Sequence, residues 1–113
     1  MDRLAALVPD MQAIREAFAD PLATRFGRTI EDVRRGLGAR DFRGDEQVRV
    51  SFGDGSTMEF RYAFFVVEAS GRYVGIFTEH CGYYALSASC TRFEQVRADA
   101  VIATHEDRRV DYR

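Results

Sequence analysis

The chain contains no lysine, and all 16 of its basic residues are arginine. We read this as codon bias in a GC-rich genome, with the structural consequence of a surface rich in bidentate donors. It also lacks any run of about 18 apolar residues, which argues against a membrane-spanning helix. The opening stretch from Met1 to Pro9 is too short in apolar residues for a signal peptide, so the expectation is a cytoplasmic protein. Cysteine and histidine are sparse: Cys81, Cys90, His80 and His105 are the sulfur and nitrogen ligands on offer. None falls in a spaced pair of the zinc-binding kind, so neither a metal nor another cofactor is expected. The stretch from Cys81 to Cys90, if extended, spans about 30 Å, far beyond the roughly 7 Å a disulfide bridges. Two free thiols follow, with Cys90 facing the core. A formal charge of -2 and the absence of a phosphate-binding loop make nucleic acid an unfavoured partner.

What is present is the composition of a folded globule. The chain has 113 residues, 46% of them hydrophobic and 30% charged, enough for one domain with a real core. Residues 1–36 carry helical signals. Leu4, Leu7 and Val8 share a face up to Pro9. Asp10 can then cap a helix in which Met11, Ile14, Ala17 and Phe18 recur at helical spacing. Asp20-Pro21 opens another turn that Gly27 closes, and Thr29 starts a short helix ending at Gly36. Residues 37–46 have no period and suggest a loop. Arg34, Arg35, Arg40 and Arg43 cluster around it beside Phe42, and we read them as a solvated stretch partly neutralised by Asp41, Asp45 and Glu46.

Residues 47–90 alternate in the manner of four strands joined by three glycine-containing turns. Three-residue loops at Ala69-Ser70-Gly71 and His80-Cys81-Gly82 put Phe64 opposite Ile76, Arg61 opposite Glu79, and Tyr84 opposite Thr78. The first hairpin, turning at Asp54-Gly55-Ser56, places Arg49 near Arg61, an unfavourable like-charge contact. One face is then apolar through Val50, Phe52, Met58, Phe60, Phe64, Val66, Val74, Ile76 and Leu86, and the N-terminal helices are its expected cover. The opposite face carries Phe65, Val67, Phe77 and Tyr73. Thr91-Arg92-Phe93-Glu94 resembles a capping box, so residues 91–104 suggest a helix over that second patch, with a fifth strand at 100–104 as the rival reading. His105 sits among charges and should be exposed, in a frayed tail over 105–113. The expected fold is α+β, with N-terminal helices packed on a four-stranded antiparallel meander and a C-terminal helix or fifth strand.

The chemistry concentrates at the third turn. Glu79, His80 and Cys81 form a minimal carboxylate, imidazole and thiol set, the elements of a nucleophilic site. Consecutive strand residues point to opposite faces, however, and no helix N-terminus is evident nearby to activate the thiol. The favoured expectation is a non-catalytic module that occupies the surface of another protein. Immunity proteins and phage-borne inhibitors of bacterial defence share its size and composition, an analogy of class alone. Its binding residues are expected to be Tyr83, His80, Glu79, Arg61, Tyr73 and Phe77, with Tyr83 pointing outward as the anchor and Tyr84 pointing inward. A small thiol enzyme built on Glu79, His80 and Cys81 is the alternative, and a homodimer through the outer sheet face is compatible with either.

Overall fold

The computed structural model describes residues 11–107, and its elements are three helices and seven strands in two antiparallel sheets. The expected face of Leu4, Leu7 and Val8, the Asp10 cap and the tail beyond Asp107 lie outside the described residues. Helices α1 (Met11–Ala17), α2 (Ala19–Phe26) and α3 (Ile30–Arg35) come first. A 3-10 turn at Ala39–Asp41 leads into β1 (Glu46–Phe52), β2 (Thr57–Arg61), β3 (Ala63–Val67), β4 (Tyr73–Thr78), β5 (Tyr83–Ser87), β6 (Thr91–Arg97) and β7 (Ala100–Glu106). The larger sheet runs in the order β2-β1-β6-β7, the smaller in the order β3-β4-β5.

Local sequence accounts for the helices. Leu22 and Ala23 are buried on α2, which stops where Gly27 turns left-handed at φ 65 and donates its N–H to Ala23 and Thr24. Thr29 caps α3 by accepting from the Asp32 N–H at 3.2 Å, and Val33 is fully buried. These helices cover one face of the smaller sheet through Phe64, Val66 and Phe77. The close approach depends on Gly75. A Cβ there would stand 3.2 Å from the Phe18 ring and 2.8 Å from Phe77. The other face of the small sheet, with Ala63, Phe65, Val74, Ile76 and Leu86, packs on Val48, Val50, Phe52 and Phe93 of the large sheet. The molecule thus has three layers, helices over small sheet over large sheet. The middle layer holds the continuous apolar run Ala63-Phe64-Phe65-Val66-Val67, as expected of a strand covered on both faces.

The expected meander therefore divides in two, and the division falls at Tyr62. This residue adopts φ 50, rare for a bulky side chain. Its N–H bonds to the Glu46 carbonyl of the large sheet at 3.1 Å, while its own carbonyl accepts from the Glu79 N–H beyond β4 at 3.0 Å. One left-handed residue passes the chain from one layer to the next.

Register is the second correction. The β3–β4 loop is one residue longer than expected, with Glu68 bonded to Tyr73, so Phe64 faces Phe77 and Phe65 faces Ile76. A one-residue slip inverts one strand relative to the other: Phe64 and Val66 lie under the helices as expected, whereas Val74 and Ile76, expected beside them, turn with Phe65 to the large sheet. The other two hairpins slip by two residues, which preserves their faces. In the first, Arg49 lies opposite Glu59 instead of Arg61, and the unfavourable contact becomes an ion pair at 3.5 Å. The third correction concerns residues 91–104, which form β6 and the start of β7, not a helix; the rival strand reading was right for 100–104. The chain turns at Ala98 and Asp99, both left-handed at φ 49 and 67, as a two-residue hairpin turn requires. His105 is half-buried, with Nε2 at 3.0 Å from the Gly71 carbonyl, rather than exposed in a tail.

A buried polar cluster ties the layers together at one end. Glu46, 4% exposed, takes Arg97 Nε at 2.6 Å and the Gln95 amide at 3.2 Å, with Arg25 at 3.8 Å. Burial holds the Arg25 guanidinium below its usual pKa, and Glu46 opposes that shift.

Candidate functional site

The β4–β5 turn does gather the expected side chains, but not in the expected attitude. Thr78 organises it: its hydroxyl donates to the Gly82 carbonyl at 2.7 Å and accepts the Cys81 N–H at 2.8 Å. The three-residue loop is consequently Glu79-His80-Cys81, with Gly82 at φ 88 closing it. Cys81 and His80 are both exposed. His80 lies 3.6 Å from the Glu79 carboxylate and turns its ring edge-on to Tyr62, with centroids 5.6 Å apart. Among the described residues, no hydrogen bond joins the Cys81 thiol to His80, and no cluster of three or more potential metal ligands occurs.

Opposite the turn stands the loop before β1, which is folded rather than merely solvated. Phe42 stacks on Phe64 at 5.2 Å, and Arg28 pairs with Asp41, whose carboxylate also accepts the Gly38 N–H at 2.8 Å. Between loop and turn lies a cleft of about 640 Å3, with Leu37, Phe42 and Tyr83 as its apolar floor and Glu79, His80 and Cys81 on its rim. Tyr83 is not the outward anchor expected. It is half-buried, packed on Phe77 at 4.8 Å, and burial pushes its hydroxyl pKa up. Tyr84 leans on Phe60 at 5.4 Å and donates its hydroxyl to the Cys81 carbonyl.

The remaining expected residues separate. Phe77 is fully buried and cannot meet a partner directly. Tyr73 is 46% exposed, but at the other end of β4 from the turn. Arg61 lies opposite Gln47 in the large sheet, not opposite Glu79. With Tyr62 it lines a second cavity of about 300 Å3, along with Asp45, Glu46 and Asp99. In that wall a hydrogen bond from Arg43 holds the Asp45 carboxyl below the usual carboxylate range. The Tyr62–His80 pair thus forms a ridge between two hollows.

Tyr62 was not among the expected site residues, because an unbroken meander puts it on the same sheet face as Phe60 and Phe64. The signal lay in periodicity: Thr57 to Arg61 alternates, whereas Ala63 to Val67 is apolar on both faces, and the change requires a break between them. Leu37 and Phe42 carried a similar signal, as isolated apolar residues in a polar loop. The outer aromatic patch expected to pair two copies is largely covered: Phe65 packs against the large sheet, and Phe77 lies under the helices. Against family models, curated proteins and solved structures, the chain shows no match in any of the three comparisons. No helix of the described residues is long and apolar enough to cross a membrane.

Proposed function

We propose that this chain is a small non-catalytic module of the cytoplasm that binds another protein, in the manner of an inhibitor or immunity protein, by occupying its surface with the Tyr62–His80 ridge. The observation that carries the reading is Tyr62, a large aromatic side chain 42% exposed and held at a left-handed φ of 50. Strained conformations of this kind concentrate at functional sites, and tyrosine is among the residues that most often anchor interfaces. The flanking hollows offer apolar depth on the Phe42 side and charge on the Arg61 side. Glu79 and His80 supply the polar rim.

Tyr62→Gly tests it cleanly, because glycine accepts the same φ and the ring alone is lost. Wild type, Tyr62→Gly and His80→Ala are immobilised and exposed to lysate of the native host, and retained proteins are identified by mass spectrometry. A host protein held by wild type and lost from both variants, each of which still melts cooperatively as a folded protein, is the expected result. Retention of the same proteins by all three forms would sink the reading.

A further inference from the structure

The smaller sheet has a free edge at β3, and part of that edge already has a substitute for a neighbouring strand. The side-chain amide of Gln95, 2% exposed, accepts the Phe65 N–H at 3.0 Å and donates to the Ala63 carbonyl at 2.9 Å. It reproduces the paired bonds that one residue of an adjacent strand would make through its N–H and C=O. The amide reaches one rung and no further. Glu68 bonds to Tyr73 across the hairpin, so even-numbered residues of β3 point their backbone groups toward β4 and odd-numbered ones point away. The next rung on the free edge is therefore the Phe65 carbonyl and the Val67 N–H.

A groove of about 540 Å3 lies along that edge, walled by Pro21 and Arg25 of α2 on one side and Ala103 of β7 on the other, with Phe65, Val67 and Gln95 at its base. It combines an apolar lining with a donor and an acceptor spaced as in a β-ladder. A lipid would satisfy the lining and leave the backbone groups bare. An extended peptide satisfies both.

We propose that this groove binds an extended apolar peptide segment of a partner protein, which adds to β3 as a fourth strand of the smaller sheet. The Gln95 amide marks where the added strand stops. The site lies apart from the Tyr62–His80 ridge and does not rest on it.

The test uses random peptides displayed on phage and selected on the full chain, then synthesised. Binding is measured to wild type, Ala103→Arg and Tyr62→Gly, with amide hydrogen exchange followed at Val67. Ala103 is exposed, so the arginine closes the groove without entering the core, and a melting curve verifies this. Selected peptides should alternate apolar residues, lose at least ten-fold in affinity with Ala103→Arg, keep it with Tyr62→Gly, and slow exchange of the Val67 amide in wild type. Absence of enriched peptides, peptides that bind Ala103→Arg equally, or unchanged exchange at Val67 would overturn the proposal. So would a dimer abolished by Ala103→Arg, or laurate binding the groove more tightly than any selected peptide.

Discussion

Gln95 holds the backbone N–H of Phe65 at 3.0 Å with its side-chain carbonyl, although the two residues belong to different sheets. The same amide also serves Ala63 and Glu46, so one buried side chain satisfies polar groups from both layers. Each group left bare in a dry site costs about 1 to 3 kcal/mol. Gln95→Ala should therefore lower stability by about 3 kcal/mol or more. A urea melt with an unchanged slope and a shifted midpoint is the expected readout, and a loss below about 1 kcal/mol would show that water replaces the amide.

The Ala98-Asp99 turn stores strain that substitution can release. Alanine at φ 49 carries a Cβ clash that glycine lacks, at roughly 1 to 2 kcal/mol, set against glycine's greater entropy loss. Ala98→Gly should raise stability by about 0.5 to 1 kcal/mol, and Ala98→Val should lower it by more than about 1 kcal/mol. Thermal melts of the pair must move in opposite directions.

Tyr83 gives stability a pH dependence in the alkaline range. Burial favours its neutral form in the folded state, so its pKa there lies above the 10.0 of a free tyrosine. Its contribution is fully present below about pH 10 and declines as pH rises from there toward the folded value, because the unfolded chain releases the proton first. Tyr83→Phe should flatten that decline relative to wild type in melts between about pH 9 and 11. Tyr83→Ala, which also removes the ring from Phe77, should cost about 2 kcal/mol at neutral pH.

The thiols should behave alike. Cys81 sits in the β4–β5 turn, and Cys90 follows β5 at φ 53 rather than lying on a core-facing strand, so both are exposed. A colourimetric thiol reagent should titrate both in the native state on one timescale. A second equivalent released only by denaturant would place Cys90 inside.

Sequence alone determined the local features. Gly27 and Thr29 bound their helices where caps belong, and the glycine turns at 53–55 and 79–82 join the strands expected of them. Alternation assigned Val48, Val50 and Phe52 to the core because one-sided burial writes a period of two into any strand. It also pointed to Glu79, His80 and Cys81, which do share one turn, though the left-handed break at Tyr62 that brings its ring edge-on to His80 was not legible.

Tertiary structure decided the rest. Phe93, Val96, Ala100 and Val101 fit a helical stripe, yet β6 becomes a strand because Phe93 finds Val50 opposite and completes the large sheet. Pairing between residues more than 40 positions apart leaves no mark in a local window, and it overrides weak helical preference. Likewise, whether the β3–β4 loop holds three residues or four changes no residue in the strands, but it decides that Phe77 joins Phe64 under the helices while Ile76 joins Phe65 against the second sheet. Side-chain direction in a strand depends on parity, and parity is set by a loop whose length the strands do not encode.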